Sequence, residues 1–368
     1  MRLGNLTRSA ATAVGMIAAA GLLAFPSQSK AVDFSGQTVE IVTPFTEGGG
    51  TDVYVRLFAP YLTKYLPGNP RVIIRNVPGG GSLMGTNEFE ARAKPDGLTL
   101  LATANSQWIA QVMGGDRRKF DVMGWRPIIV SPLGTVIYLS NKTGVTGKDR
   151  VAEIKSLIDN KTPLRYGAKA PDAGELRNIL AYDLLGLNVQ TILGLARGEA
   201  RQALLRGELE INDETAAGMA ELAATYVKNG DIITMFSLGY LDGDKIARDP
   251  LFPDLMSVPE MYEAVHGKPP EGPLFNAYKS FLNIGVTASK GIMLPKDTPD
   301  DIQQAYIAAV KQALDDPEFQ KVGKEIVGEY PHVFGDDAAA VIKESVDFDP
   351  ETLTWFRGYM KEKFNFSF

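Results

Sequence analysis

The chain has 368 residues, a formal net charge of −6 and no cysteine. An acidic chain is a poor generic partner for nucleic acid, and the missing cysteine excludes a disulfide scaffold, a thiol nucleophile and lipid attachment at a thiol. No Lys/Arg-rich amphipathic segment suggests attachment to a membrane surface either. At the start, Arg2 and Arg8 precede an apolar, small-residue run from Ala10 to Phe25 that Pro26 breaks. Small-x-small exits follow after Ser29 and after Ala31, so residues 1–31 read as a secretory signal peptide. The run is shorter than the roughly 20 residues of a membrane span, and an uncleaved anchor is the alternative reading. Removing residues 1–31 leaves 337 of 368 and deletes Arg2, Arg8 and Lys30, which takes the charge from −6 to −9. A chain of that length supports one very large core or, as expected here, two domains.

The first element is a strand over Thr38–Thr43, with the buried-strand composition Val39, Ile41 and Val42. Pro44-Phe45-Thr46-Glu47-Gly48-Gly49-Gly50 follows, then a helical pattern from Val53 through Leu57, Phe58, Tyr61, Leu62 and Tyr65, with Pro60 as a possible kink. A strand over 71–75, a second glycine loop at Gly79-Gly80-Gly81, a helix over 82–93 and a strand over 98–102 continue the rhythm. It predicts an α/β fold with a largely parallel sheet. The middle of the chain predicts strands at 127–130, 135–139, 164–167, 189–193, 209–211 and 232–236, and helices at 151–158, 175–185 and 216–227. After the breaker cluster 269–273 come a strand at 281–286, a helix at 299–314 and a helical tail over 336–361 that Pro350 splits in two.

Two loops are suited to an anion. Gly48-Gly49-Gly50 sits where a strand turns into a helix, so exposed N–H groups and the helix dipole favour a carboxylate or phosphate; a simple permissive turn is the bland reading. Gly79-Gly80-Gly81-Ser82 is a second candidate of the same kind. The first is not a nucleotide fingerprint, because Gly48-x-Gly50-x-x-Val53 lacks the third glycine and no Gly-Lys-Ser/Thr follows; for the second, Asn76 and Pro78 already signal a tight turn, its bland reading. Thr51 adds a hydroxyl, and Asp52 either caps the helix or orients the loop through backbone hydrogen bonds. His266 and His332 are isolated and read as surface residues, and Glu208, Glu210, Asp213 and Glu214 read first as acidic helix and loop surface. With no metal-ligand spacing and no nucleophile elbow, no catalytic residue, metal or cofactor is expected.

The stretch Ile41-Val42-Thr43-Pro44-Phe45-Thr46-Glu47-Gly48-Gly49-Gly50-Thr51-Asp52 resembles the first ligand loop of the TctC/Bug family of extracytoplasmic solute receptors. Asn76-Val77-Pro78-Gly79-Gly80-Gly81-Ser82-Leu83-Met84-Gly85 and Pro95-Asp96-Gly97-Leu98-Thr99-Leu100 are similar to that family's next two signatures, in order. Gly291 to Pro299 and Ala313 to Phe319 resemble later segments, so the likeness covers nearly all of the chain after residue 31.

That resemblance implies a two-lobed periplasmic binding protein, or Venus flytrap, with the ligand cleft between α/β lobes. It places domain 1 at residues 32–142 and 281–368, domain 2 at 143–280, and hinge crossings at 141–144 and 278–283. It implies a periplasmic, monomeric receptor that hands a small organic carboxylate to the membrane permease of a tripartite tricarboxylate transporter and is not an enzyme. A secreted carboxylate-dependent hydrolase or transferase, or a ligand sensor for signalling, is the alternative. The ligand contacts it implies are Phe45, Gly48, Gly49, Gly50, Thr51 and Asp52, with Gly80 and Gly81 in the second loop and Asn105 and Ser106 after the third strand. On the other lobe the family's Gly/Ser-rich loop is replaced by Gly167-Ala168-Lys169-Ala170-Pro171-Asp172-Ala173-Gly174-Glu175. Lys169, Asp172 and Gly174 are its candidate contacts, and Lys169 or Arg177 would meet a second carboxylate. Trp108 either walls the cleft or packs under it. With only Lys169, Arg165 and Arg177 as cations on that side, a mono- or dicarboxylate is favoured over a tricarboxylate.

Overall fold

In the computed structural model, the described residues are 32–366 apart from 216–218, 220–222, 243–244 and 329. The expected signal peptide lies outside them, as does most of the first half of the helix expected over 216–227. Strand β1 (Thr38–Thr43) leads into helix α1 (Gly50–Tyr65), β2 (Arg71–Asn76), α2 (Leu83–Arg92), β3 (Thr99–Ala104), α3 (Asn105–Met113) and β4 (Arg126–Ser131). The chain then builds β5 (Thr135–Ser140), α4 (Arg150–Asp159), β6 (Leu164–Ala168), α5 (Leu176–Leu185), β7 (Val189–Leu193), α6 (Arg197–Arg206), β8 (Ile211–Thr215), α7 (Ala224–Asn229) and β9 (Ile232–Ser237). A small ribbon, β10 (Tyr240–Asp242) with β11 (Lys245–Ala247), precedes α8 (Val258–His266) and α9 (Pro273–Leu282). The return path is β12 (Lys290–Leu294), α10 (Asp300–Asp315), α11 (Pro317–Val327), β13 (Val333–Phe334), α12 (Gly335–Val346) and α13 (Pro350–Phe364).

Two sheets result, one per lobe, with strand orders β13-β4-β12-β3-β1-β2 and β7-β6-β8-β5-β9. Both are mixed. β1 runs parallel to β2 and β3, while β12 is antiparallel to β3 and β4. In the second, β6 is parallel to β7 and β8, and β5 is antiparallel to β8 and β9. The expectation of largely parallel sheets is corrected by β12 and β5, the strands on which the chain enters each sheet from the other. One face of β1, Val39, Ile41 and Thr43, is fully buried, while along the other Thr38 is exposed, Glu40 half-buried and Val42 buried. Val39, Ile41, Tyr54, Phe58, Ile292 and Tyr306 form one core that clamps β1, α1 and α10 together. Each such fully buried side chain contributes roughly 1.5–3 kcal/mol. The loop between β1 and α1 therefore hangs from two rigid ends.

The chain leaves the first sheet at Ser131 and enters the second at Thr135, upstream of the crossing expected at 141–144. The segment expected as a strand over 281–286 is instead the end of α9 followed by a π-helical turn at Asn283–Thr287. Ala277, Tyr278, Phe281, Leu282, Ile284 and Val286 are all buried, and a short apolar run of this kind does not distinguish strand from buried helix. The strand expected at 209–211 starts at Ile211 and runs to Thr215 in the middle of its sheet; α6 before it was not expected. Pro350 does separate two helices, standing at the start of α13 behind the Asp349 cap, whose carboxylate accepts the Thr352 N–H at 2.8 Å. That last helix packs on α9 and reaches α5, where Tyr359 donates to Asp183 at 2.6 Å. The largest apolar cluster runs through both lobes, from Val42 and Trp108 to Ile137, Tyr166, Phe281 and Phe356.

Candidate binding site

A cavity of about 280 Å³ lies between the two sheets, at the loops that follow their strands. The first lobe lines it with Phe45, Gly49, Gly50 and Thr51 after β1, Gly79, Gly81 and Ser82 after β2, Asn105 and Ser106 after β3, and Ser289 and Lys290 where β12 begins. The second lobe supplies Lys169, Gly174, Glu175 and Arg177 after β6, Arg197 and Gly198 at the start of α6, and Thr215 at the end of β8.

Local chain chemistry places these groups. Gly79, Gly80 and Gly81 all have positive φ (132°, 60° and 70°), and Ser82 follows at 88°, a conformation that only glycine reaches without strain. The turn delivers Ser82 to the cavity wall, buried, with its Oγ lacking a protein partner. Helix α1 begins after Gly49, and no side chain caps it. Its first N–H groups are left for another acceptor.

Asp52 does not cap α1; it orients the loop, the second of its two sequence readings. Buried in the first turn, its Oδ2 accepts the Gly48 N–H at 2.9 Å and the Arg56 Nε at 2.8 Å, and its Oδ1 accepts the Asn76 side-chain amide at 2.9 Å. Burial would raise its pKa, but the bonds from Arg56, Asn76 and Gly48 and the Arg56 charge overcome that and hold it below the usual value.

The cavity is cationic. Lys290 is buried, donates to Thr51 Oγ1 at 2.9 Å, and is pushed far down in pKa by burial and then by Arg197, Lys169 and Arg177. Arg177 is buried and donates through Nη2 to Thr135 Oγ1 at 2.8 Å, while its Nε and Nη1 have no partner. Burial lowers its pKa, with Arg197 adding repulsion. Arg197 is held by Asp213 at 3.0 Å, and Lys169 pairs with Glu175 at 3.5 Å. The hydroxyl of Ser106 and one oxygen of Glu175 are also buried without a partner.

The lobes meet across the cavity at three places. The Lys169 ammonium stands 5.5 Å from the centroid of the Phe45 ring. Gly50 faces Thr215, where a Cβ would lie 3.4 Å from Oγ1. Gly174 faces Asn105 so closely that a Cβ there would overlap the side-chain amide.

Of the residues singled out in the sequence, Phe45, Gly49, Gly50, Thr51, Gly81, Asn105, Ser106, Lys169 and Gly174 stand on the cavity wall, and Gly48, Asp52, Gly80 and Asp172 do not. Gly48 and Asp52 shape the loop from behind. Asp172 instead pairs with Arg117 of the first lobe at 3.1 Å. Arg165 is turned away and bound to Glu210. Trp108 packs under the cleft and donates to the Ala288 carbonyl at 2.7 Å. Asp213 and Glu214, expected at the surface, are buried in β8 against Arg197 and Arg201. Burial raises the Asp213 pKa, but Arg197, Arg177 and the Tyr166 hydroxyl pull it below normal. Glu214, similarly buried, is pushed up to about 7 despite Arg197 and Arg201. Neither histidine lines the cavity. Ser289, Lys290, Glu175, Arg197 and Thr215 also line the cavity and are not among the residues that the sequence singles out. The available signal was Arg197 and Arg201, four apart on one helix face, opposite consecutive acids in the next strand.

No family model matches the chain. It is 27% identical over 317 residues to a UPF0065 protein encoded in the gbd 5′ region of Cupriavidus necator, covering 83% of each chain. Among solved structures, the periplasmic binding protein BugD is similar, with a TM-score of 0.64 and 21% identity over 87% of this chain and 97% of that one. MatC of Rhodopseudomonas palustris, solved with bound malate, gives a TM-score of 0.62 and 19% identity over 88% and 98%. At these identities the solved structures establish the two-lobed fold.

Proposed function

The chain is a TctC/Bug-type binding protein, and from that premise we propose that it is an extracytoplasmic receptor for a small organic carboxylate. The observation that carries this reading is the cavity itself: glycine loops and an uncapped helix start on one lobe, buried cations on both, and backbone and hydroxyl donors between them. Such a site suits a carboxylate, because N–H donors and ammonium or guanidinium groups each gain from a negative oxygen. The malate in MatC supports the ligand class. Loss of residues 1–31 on export places the monomeric protein in the periplasm. There a membrane permease of the tripartite tricarboxylate type, driven by an ion gradient, takes the ligand from the closed form. Ligand bridges the lobes, favours closure by its differential affinity for the closed state, and undergoes no covalent change.

Native mass spectrometry of protein purified gently from its own host tests the reading. A retained small carboxylate, and an N-terminus at Lys30 or Val32, are the expected results. A thermal-shift screen in which no mono-, di- or tricarboxylate raises Tm would overturn it, since a ligand that binds only the folded state must stabilise it.

A further inference from the structure

The charges around the cavity do not cancel. Arg197 is matched by Asp213, Lys169 by Glu175 and, behind them, Arg201 by Glu214. The remaining carboxylate on the wall, Glu199, is exposed and accepts the Ala196 N–H at 2.8 Å. Among the described residues this leaves two cations on the cavity wall with no carboxylate within ion-pair distance, Lys290 on the first lobe and Arg177 on the second, which Asp213 and Glu175 reach only from farther away. The two cations are 6% and 1% exposed. Burial disfavours the charged form of a cation that has no anion beside it, and a ligand carboxylate placed there restores it.

We propose that Lys290 and Arg177 each neutralise one charge of a dianionic ligand, so that the site selects a short dicarboxylate over monocarboxylates and over tricarboxylates. This rests on the carboxylate-receptor reading above and narrows it. The unpartnered hydroxyls of Ser82 and Ser106 stand on the Lys290 side to complete one carboxylate's bonds. Arg177 takes the other from a special place. Its Nη2 is tied to Thr135, the first residue after the outgoing crossing. Its side chain also lies against Gly285 on the return crossing, where a Cβ would come within 2.7 Å of Nη1. A charge placed on Arg177 therefore acts directly at the junction between lobes. A third carboxylate would find no third unmatched cation on the described cavity wall. The volume, about 280 Å³, also falls at the small end of ligand sites.

Calorimetry with chain-matched acids tests the proposal: succinate, glutarate, adipate and phthalate against butyrate, pentanoate, hexanoate and benzoate, with citrate as the tricarboxylate. The best diacid is expected to bind at least about 10-fold more tightly than its matched monoacid and than citrate, from one charge-assisted contact. In R177Q and K290Q that preference falls by about 10-fold or more, and the Tm of the ligand-free variants is no lower than wild type. A purely structural arginine or lysine would instead lower Tm, and that outcome overturns the proposal. Equal affinity for matched mono- and diacids, or tighter binding of citrate, also overturns it while leaving the receptor reading intact. Failure of every carboxylate to bind wild type removes the receptor reading itself.

Discussion

The Leu133 N–H donates to the Val286 carbonyl at 3.1 Å, so the two segments that join the lobes are stitched side by side. Trp108 adds a bond to Ala288 two residues on, and Tyr278 donates to Leu238 nearby. Two adjacent crossings with a shared hydrogen bond make a natural hinge, since rotation there changes few backbone angles. Small-angle scattering should show a smaller radius of gyration at saturating ligand than without it. G285V fills the space that Arg177 occupies, and it should fold yet show neither the compaction nor the wild-type affinity. Full compaction in G285V would place the hinge elsewhere.

Gly174 offers a cleaner test of closure. Its would-be Cβ collides with the Asn105 side chain of the opposite lobe, while the cores of both lobes are untouched. G174A should hold the lobes apart and weaken ligand binding by about 10-fold, a loss of about 1.4 kcal/mol. The ligand-free Tm should stay within about a degree of wild type. N105G in the same chain removes the obstacle, and because Asn105 also lines the cavity the readout is compaction: the double variant should regain the ligand-induced decrease in radius of gyration that G174A lacks. A double variant that compacts no more than G174A would show that the collision is not what matters.

Asp52 is expected to matter for the loop without touching ligand. D52A removes the acceptor that gathers the Gly48 N–H, Arg56 and Asn76; these donors are exposed or half-buried and water can replace it, so the expected loss is about 1 kcal/mol. Thermal unfolding at pH 7 should register that loss. Because the folded pKa lies below the ordinary value of 3.8, the carboxylate's stabilisation is present above that value and disappears as pH falls through the folded one. D52N, which never titrates, should lose less stability than wild type below about pH 4. Parallel acid curves for the two would dismiss the role.

These loops were the readable part of the site. A run such as Pro44 to Gly50 between a hydrophobic strand and a hydrophobic helix marks either an anion loop or a permissive turn, and β1, β2, β3 and α1 lie close to where periodicity put them. The hidden part was charge placed inside structure. Asp213 and Glu214 look like surface because isolated acids are rarely buried, and it is pairing with Arg197 and Arg201, 16 and 13 residues upstream, that lets them lie in a central strand. Lys290 was hidden as well: no strand was expected over 290–294, and a lone lysine before Gly291-Ile292-Met293-Leu294 carries no sign of burial. The crossing at Ser131–Thr135 was missed because β4 and β5 are both buried and apolar, and nothing in either says that they belong to different sheets.

His332 sets the response of stability to mild acid. Its ring is largely buried, its Nδ1 has no partner, and burial lowers its pKa from 6.5 to about 4. Above pH 6.5 the ring is neutral in folded and unfolded chains alike, and its contribution is constant. As pH falls below 6.5 the unfolded chain takes up a proton that the folded chain refuses until about pH 4, so stability is lost across that window. Glu214 works in the opposite sense. Its pKa, raised by burial to about 7, makes the folded chain bind a proton first, so stability is gained as pH falls from about 7 to 4.5. The wild-type curve therefore mixes two slopes, and the difference from H332Q isolates one of them. Urea melts of both proteins at pH 7.5, 6.5, 5.5 and 4.5 should show wild type losing ground steadily to H332Q as the pH falls. A constant difference across the series would mean that His332 takes its proton as readily in the folded chain as in the unfolded one.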